Sequence, residues 1–248
     1  LAFYGGQGDL IPHFRGVSLP EQIDSAGELL CRVEGQKPCL SAAAPDILTV
    51  STGGNELGFG AKVAGCATAR CVFTPAEMAP LLSRLRERYS AMADSIASLG
   101  ARHVLGMTYP YLTRRADGRT YCSDSPFNFE RSFMPRLSTF FGFGISRAEG
   151  RNAEKVVLEP LNALIREEAS RRGWTVVDGY RRDRGICVRP SWFLTVGDSD
   201  VKQGRVGERQ EPLDFVGLLP SGAMHPNVFG HAGIRARLHP EIDRLLPP

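Results

Sequence analysis

The residues between Thr74 and Gly100 carry the clearest pattern in the chain, that of an amphipathic helix. Thr74 can cap the first turn, Pro75 suits the first helical position, and Glu77 completes a capping box. Gly100 is a good C-terminal stop. Apolar residues recur at steps of three and four, namely Met78, Leu81, Leu82, Leu85, Tyr89, Met92, Ile96 and Leu99. A helix with one apolar face must bury it against another element, so this segment requires a layered fold with a core.

Three short apolar runs, each closely followed by glycine or proline, predict buried strands. They cover residues 46–51, 103–108 and 174–178. Further helices are predicted over residues 20–30, over residues 152–172 and from about Pro226. Strands that alternate with helices in this way imply a parallel sheet with helices on both faces. We therefore predict an α/β fold, a three-layer α/β/α sandwich with a mainly parallel, flavodoxin-like sheet, in a single domain over residues 1–248.

The composition excludes several classes of protein. Of the 248 residues, 42% are hydrophobic, and 30 basic side chains nearly balance 27 acidic ones. A disordered chain would have fewer apolar groups and a larger charge imbalance. The length suffices for one sizeable core, with two smaller domains as the alternative. The arginines are scattered and lack interleaved aromatics, so no nucleic-acid partner is expected, and no apolar run approaches the ~20 residues of a transmembrane helix.

Residues 109–150 form an irregular stretch that is rich in aromatic side chains, and we predict an insertion within the domain. Its aromatic residues are Tyr109, Tyr111, Tyr121, Phe127, Phe129, Phe133, Phe140, Phe141 and Phe143. Two interpretations are open. The insertion can enclose a small core of its own, or it can supply an apolar wall or lid for a lipid-like substrate.

Asn55 follows the first predicted strand, in a Gly-Gly-Asn-Glu run that starts at Gly53. Ligands of open α/β sheets bind beyond the carboxyl ends of the strands. A carboxamide there can donate a hydrogen bond to a developing oxyanion, and glycines let the backbone approach a ligand closely. The alternative is a turn that only joins a strand to a helix.

His225 lies in a His-Pro-Asn run at the start of the last predicted helix. Pro226 suits the first turn of that helix, which puts His225 on the loop at or just before the helix start. A histidine there can act as a general base near neutral pH. The alternative is a histidine that caps the helix. His231 is expected on the helix itself, in a structural role.

Together the two runs resemble the SGNH/GDSL hydrolase family of serine esterases and lipases, most closely its secreted bacterial branch with three disulfides. Residues 53–56 look like the family's Gly-x-Asn-Asp block, with Glu56 in place of the usual Asp. Residues 225–227 look like its His-Pro-Asn block, and residues 173–187 look like the segment that precedes that block in the secreted branch. The order and the separation of the two blocks fit the family.

The resemblance implies a catalytic role for each matched residue. His225 would be the general base, and the Asn55 side chain with the backbone N–H of Gly5 or Gly6 would bind the oxyanion. Residues 2–6 stand where the branch has a small-residue turn ending in Gly; the alternative is an ordinary turn at a strand end.

The nucleophilic serine departs from the family pattern. In the family order it precedes the block around Gly5, so we expect it before Leu1, on a nucleophile strand that this chain lacks. A Gly-Asp-Ser tripeptide ending at Ser199 is the alternative, through a permuted arrangement, but no helical stripe follows it. The usual triad Asp, three residues before the base, is replaced by Gly222. We expect a backbone carbonyl to orient the base, with Asp198 and Asp214 as weaker candidates.

The six cysteines form an even set without a CxxC pair or zinc-finger spacing, which favours disulfides in an oxidising compartment over a zinc site. The alternative is six buried free thiols in a cytosolic protein. Two pairs would each close a short loop near a predicted helix end, and the third follows by exclusion. The expected pairs are Cys31–Cys39, Cys66–Cys71 and Cys122–Cys187.

The resemblance implies a secreted or periplasmic enzyme that hydrolyses carboxylic esters through a serine and needs no metal or organic cofactor. The expected substrate is an ester of lipid or acylated-glycan type. An N-terminal fragment that completes the sheet is a further expected partner. Two alternatives stay open: a degenerate domain that binds a glycan or lipid without turnover, and an acyltransferase that acts on a sugar hydroxyl.

Overall fold

The computed structural model describes residues 45–54, 56–58, 62, 72–122, 146–195, 198 and 224–246. The strands are β1 (Ile47–Val50), β2 (His103–Met107) and β3 (Thr175–Val177). The helices are α1 (Pro75–Ser98), α2 (Arg147–Ala153), α3 (Glu159–Arg171) and α4 (Val228–Leu245). A π-helical turn (Glu154–Leu158) joins α2 to α3, and a 3-10 turn (Arg182–Arg184) follows β3. The helix predicted over residues 20–30 lies outside the described residues.

The three strands form one parallel sheet in the order β1-β2-β3. Val50 lies beside Gly106, and Leu105 lies beside Thr175. Each strand starts and ends within one residue of its predicted bounds, so the strands and the mixed α/β architecture are confirmed. Because parallel strands run in one direction, the residues that follow β1, β2 and β3 meet at one edge of the sheet.

Helix α1 begins and ends where its sequence predicts. The Thr74 hydroxyl accepts a hydrogen bond from the Glu77 N–H, and the Glu77 carboxylate accepts one from the Thr74 N–H, which completes the capping box. Gly100, just after the C-cap residue Leu99, has a left-handed φ of 66°.

Helices α2 and α3 and the π turn between them form one continuous helix over residues 147–171. Ser146 caps it, in a second capping box with Glu149. The helix therefore begins five residues before the predicted start at residue 152. The last four residues of the predicted insertion, 147–150, belong to this helix.

Helices α1 and α3 pack against one face of the sheet and build the main core. Leu48 and Val104 contact this core from the sheet. Its buried members are Val50, Leu57, Met78, Leu85, Tyr89, Met92, Ile96, Val157, Leu161, Leu164 and Ile165. Burying each large aliphatic side chain contributes roughly 1.5–3 kcal/mol. Within the described ranges, no helix combines the length and the apolar character that crossing a bilayer requires.

Helix α4 contacts β3 beside the opposite face of the sheet. A Cβ on Gly106 would lie 3.6 Å from Ala169 of α3, so the next residue, Met107, points to the other face. There, a Cβ on Gly179 would lie 2.7 Å from the Met107 Cε atom and 3.8 Å from Ile234 of α4.

A buried ion pair connects the segment after β2 to the π turn. The Arg114 Nε donates to both carboxylate oxygens of Glu154, at 3.0 and 2.8 Å, and a second bond joins Nη2 to Oε1. The Tyr121 hydroxyl contacts both partners. The side chains of Arg114 and Glu154 are 11% and 1% exposed. Loss of either residue would therefore leave a buried charge without a partner.

A disulfide joins Cys122 to Cys187 across a sequence separation of 65 residues, with the Cα atoms 6.1 Å apart. This pair was expected and is confirmed. It links the segment after β2 to the segment after β3. The expected pairs Cys31–Cys39 and Cys66–Cys71 lie outside the described residues.

Candidate functional site

The Gly53–Gly54 turn lies just beyond the carboxyl end of β1, as predicted. The Gly53 N–H donates to the Glu56 carboxylate at 3.0 Å, and its carbonyl accepts from the Leu57 N–H at 3.2 Å. Gly53 has a φ of 119°, and a Cβ on it would lie 2.9 Å from the Leu161 Cδ1 atom. The positive φ therefore favours glycine here, and the Leu161 side chain would have to shift to admit a Cβ. Glu56, which replaces the family's Asp, stabilises the turn.

Gly54 contacts Tyr109, which follows β2. The Gly54 N–H donates to the Tyr109 hydroxyl at 2.9 Å, and a Cβ on Gly54 would lie 2.6 Å from the Tyr109 ring. The N–H groups of Gly53 and Gly54 are thus both engaged within the protein.

Tyr109 is fixed in position by Asn162 of α3. The Tyr109 N–H donates to the Asn162 carboxamide oxygen at 2.7 Å, and the Asn162 amide donates to the Tyr109 carbonyl at 3.0 Å. Burial raises the pKa of the Tyr109 phenol, which the bond from the Gly54 N–H only partly opposes. The phenol therefore stays protonated near neutral pH. Because its oxygen accepts from Gly54, its own proton can be donated to another group.

Asp178 follows β3 and joins three elements at the same edge of the sheet. Its Oδ1 atom accepts from the Thr108 hydroxyl at 2.8 Å and from Arg166 of α3 at 2.6 Å. Its carbonyl accepts from Arg237 of α4 at 3.3 Å. These contacts align the ends of β2 and β3 with α3 and α4.

His225 is exposed on the loop before α4, and this part of the prediction is confirmed. Its carbonyl accepts from the Leu194 N–H at 3.0 Å, and the Met224 N–H donates to the Leu194 carbonyl at 2.9 Å. Met224 has a left-handed φ of 68°. Such a conformation costs a non-glycine residue roughly 1–2 kcal/mol. The pairing with Leu194 therefore holds the residue before His225 in an unfavourable conformation.

The prediction that Pro226 lies in the first helical turn is wrong. Asn227 is the N-cap of α4, and its carboxamide oxygen accepts from the N–H groups of Phe229 and Gly230 at 2.9 and 3.0 Å. Pro226 precedes the helix and forms an isolated bridge with Phe193. The amide of Asn227 also donates to the Ser191 carbonyl at 2.8 Å, so this residue anchors the loop that carries His225.

A cleft of about 590 Å³ opens beyond the carboxyl ends of β2 and β3. Its lining comprises Thr108, Tyr109, Tyr111, Asp117, Gly118, Arg119, Arg166, Asp178, Tyr180, Arg181, Arg182, Asp183 and Arg237. On one side, Tyr109 contacts Gly54. On the other, the Tyr180 ring lies 5.7 Å from the Phe193 ring, and Phe193 pairs with Pro226. One contact thus links the cleft lining to Gly54, and two contacts link it to Pro226. Neither the Gly53–Gly54 turn nor His225 is among its described lining residues.

Several predicted site residues lie outside the described residues. They are Asn55, Gly5, Gly6, Ser199 and Asp214. Of the two weaker triad candidates, Asp198 is described, and its carboxylate accepts from the Thr195 hydroxyl at 2.7 Å. No described contact joins His225 to the Gly53–Gly54 turn. In the part of the chain that the structure describes, no cluster of three or more His, Cys, Asp or Glu side chains could hold a metal ion.

The sequence prediction missed Tyr109, Asn162 and Asp178 as residues of this region. A signal for two of them existed, because Tyr109 follows one predicted strand and Asp178 ends another, where ligands of α/β sheets bind. No sequence pattern marks Asn162, whose partner is 53 residues away.

Comparisons with protein-family models, with curated proteins and with solved structures each found no match to this chain.

Proposed function

We propose that this protein hydrolyses carboxylic esters through a serine nucleophile, as an SGNH-type hydrolase. His225 takes the proton of a serine that the family order places ahead of Gly5, and returns it to the leaving alcohol. The Asn55 carboxamide and the backbone N–H of Gly5 or Gly6 bind the oxyanion of the tetrahedral intermediate. No metal or organic cofactor takes part in this scheme.

One observation carries the proposal: contacts link both motif-bearing segments to residues that line one cleft at the carboxyl edge of the sheet. Tyr109 joins the cleft to Gly54, the residue before Asn55. Tyr180 joins it through Phe193 to Pro226, the residue after His225. The motifs are about 170 residues apart in sequence, and ligands of parallel α/β sheets bind at this edge.

The hydrogen bonds of the turn support the assignment of Asn55 as the oxyanion donor. The N–H groups of Gly53 and Gly54 already donate to Glu56 and Tyr109. Satisfied backbone donors favour a well-ordered turn, and a pre-positioned donor needs no reorganisation during reaction. The protonated Tyr109 phenol is a further donor beside this position.

The bonding of the loop before α4 supports the assignment of His225 as the base. The bonds that Leu194 makes to Met224 and His225, and the bond from Asn227 to Ser191, fix the backbone on both sides of the histidine. The unfavourable φ of Met224 is the kind of stored strain that occurs at functional sites. The His225 side chain is exposed, so a substrate can reach it.

The proposal includes the finer architecture, a three-layer α/β/α sandwich. Helices α1 and α3 cover one face of the sheet, and α4 contacts β3 beside the other. Within the described residues, β1 has a hydrogen-bonded neighbour on one side only, β2. The nucleophile strand would pair with the other edge of β1, next to the Gly53–Gly54 turn. The Cys122–Cys187 disulfide fits a secreted or periplasmic location, since such bonds persist in oxidising compartments.

A fluorophosphonate labelling experiment tests the proposal, because this reagent reacts with serines that a base has activated. The full-length protein should be labelled at one serine ahead of Gly5 and should hydrolyse p-nitrophenyl acetate. Both signals should be lost in His225→Ala and kept in His231→Ala, the control on the exposed surface of α4.

Labelling at Ser199 would contradict the family order of the nucleophile. A folded protein that neither reacts nor hydrolyses, but binds glycans or lipids, would overturn hydrolysis in favour of a binding module. Faster ester consumption with an acceptor sugar than in water would instead establish acyl transfer.

A further inference from the structure

We propose that the cleft beyond β2 and β3 binds a sugar through an oxyanion that the sugar carries, either a phosphate or a carboxylate. This inference concerns binding and does not require ester hydrolysis. Three arginines from separate segments carry it: Arg119 from the turn after β2, Arg182 from the 3-10 turn, and Arg237 from α4.

The packing of the cleft wall brings these segments together. A Cβ on Gly118 would lie 3.6 Å from the Arg182 Cβ and 3.7 Å from the Asp183 backbone nitrogen. The turn that carries Arg119 therefore packs directly against the 3-10 turn. Arg237 reaches the same cleft from α4 through its bond to the Asp178 carbonyl at 3.3 Å.

The three guanidinium groups keep their charge free for a ligand. In the described part of the chain, none of the three forms an ion pair with a carboxylate. Arg182 donates to the Tyr111 hydroxyl at 2.9 Å and lies 4.1 Å from the centroid of that ring. Such contacts orient a guanidinium without neutralising it, and leave donor groups of the fork for a ligand.

The three aspartates of the cleft lining are already engaged. Asp178 pairs with Arg166 at 2.6 Å, and Asp183 accepts from Arg181 at 2.8 Å. Asp117 closes its own turn, where it accepts from the N–H groups of Arg119 and Thr120, each at 2.8 Å. The described lining residues include five arginines and three aspartates, so they carry two net positive charges, which favour an anionic ligand.

The other lining groups favour a sugar as the carrier of the anion. Tyr109, Tyr111 and Tyr180 line the cleft between the arginines. Tyrosine rings present apolar faces to the C–H groups of a sugar and hydroxyls to its oxygens, while guanidinium forks bind oxyanions in bidentate fashion. The volume of about 590 Å³ lies within the usual range for small-molecule sites. A plain acyl chain would leave these charges unpaired.

Isothermal titration calorimetry of the protein tests the inference with four ligands. Glucose 6-phosphate and glucuronate supply the two oxyanion types on a sugar, glucose is the neutral control, and inorganic phosphate is the anion without a sugar. We expect one or both sugar oxyanions to bind at least about tenfold more tightly than glucose and than phosphate. Their binding affinity should decrease as the salt concentration rises. The stronger of the two identifies the oxyanion type. No binding of either sugar oxyanion would overturn the inference, and so would equal affinity for glucose or for inorganic phosphate.

Variants of the cleft arginines complete the test. Arg119→Gln and Arg237→Gln should each weaken binding of the sugar oxyanion about tenfold, since each removes a charge-assisted contact. Arg244→Gln is the matched control on α4, because Arg244 pairs with Glu241 and does not line the cleft. It should bind as the wild type does. Unchanged affinity in Arg119→Gln and Arg237→Gln, with melting temperatures that report folded protein, would rule out this cleft. A protein that binds the sugar but fails fluorophosphonate labelling would keep this inference and overturn the proposed hydrolysis.

Discussion

The carboxamide of Asn162 forms two hydrogen bonds with the backbone of Tyr109, one from the N–H at 2.7 Å and one to the carbonyl at 3.0 Å. Asn162 is fully buried, so its side chain supplies the pair of bonds that a neighbouring strand would supply. Asn152 makes the same pair of bonds with Phe73, at 2.6 and 3.0 Å. One helix thereby fixes both the chain before α1 and the chain after β2.

Asn162→Ala should lower the free energy of unfolding by about 3 kcal/mol, because it leaves the N–H and the carbonyl of Tyr109 without partners in a buried region. Urea denaturation measures this loss. Asn152→Ala is the matched control: it removes the equivalent bonds at Phe73 and should also destabilise the protein, but it should leave ligand binding in the cleft unchanged. A loss below about 0.5 kcal/mol in Asn162→Ala would show that these bonds contribute little.

Tyr109→Phe should cost about 1–2 kcal/mol of stability, because the buried Gly54 N–H loses its acceptor. It should also reduce the rate of ester hydrolysis, since the turn before Asn55 is then held less firmly. Tyr111→Phe is the control, because its hydroxyl bonds to Arg182 and not to the turn. Equal rates in both variants and the wild type would contradict a role for Tyr109 in positioning this motif.

Asn55→Ala and His225→Ala should each lower ester turnover by about 10²–10³ or more, while melting temperatures stay near that of the wild type. The two losses should not add, because both residues act on one intermediate. Steady-state kinetics of the single and double variants, with His231→Ala as the control, measure this. If either variant keeps more than about a tenth of wild-type activity, the direct role of that residue is wrong.

The ionisation of Asp117 should make the stability of the protein depend on pH in the acid range. Its bonds to the Thr120 hydroxyl and to the N–H groups of Arg119 and Thr120 lower its pKa to about 2. Because the folded-state pKa lies below the unfolded value of about 3.9, the contribution is complete above that value and is lost as the pH falls from about 4 towards 2. Asp117→Asn should therefore be less stable than the wild type at pH 7, and the difference should shrink below pH 4. Thermal unfolding across this range measures it; a difference that does not change with pH would contradict the assignment.

Removal of the Cys122–Cys187 bond should cost about 4 kcal/mol in the chain-entropy model, since the bond closes a long loop. Unfolding of the double variant Cys122→Ala, Cys187→Ala, compared with the oxidised wild type by urea denaturation, tests this. Peptide mapping without reductant should also recover the linked pair. Recovery of Cys122 or Cys187 as a free thiol would contradict the observed pairing.

Elements that depend on neighbouring residues could be predicted from the sequence. The capping box of Thr74 and Glu77 is a local pattern, and it sets the start of α1 correctly. The equivalent box of Ser146 and Glu149 was also present in the sequence. A helix start at residue 152 ignores this box. It follows from the predicted aromatic insertion, which extends to residue 150 and so covers the box.

Features that depend on distant partners could not be predicted. Helix α4 begins after its cap Asn227 and not at Pro226, because Asn227 also bonds to the Trp192 and Ser191 carbonyls, about 35 residues away. The same holds for the contact between Gly54 and Tyr109, which are 55 residues apart. The strand patterns in the sequence locate this edge of the sheet. The periodicity of the sequence does not identify which side chains meet there.

The π turn between α2 and α3 has a consequence for the two asparagines of that helix. An α-helix rotates by about 100° per residue, whereas a π turn closes with i→i+5 bonds and fits one more residue into the turn. The π turn therefore sets the direction of the side chains that follow it relative to those that precede it. Asn152 lies before the turn and Asn162 after it, and each must face its own backbone partner. If the same five residues, 154–158, continued as a regular α-helix, Asn162 would be turned about 100° away from Tyr109 while Asn152 kept its bond to Phe73. The wider turn thus lets one helix bond to both Phe73 and Tyr109, whereas a regular α-helix of the same length could bond to only one of them.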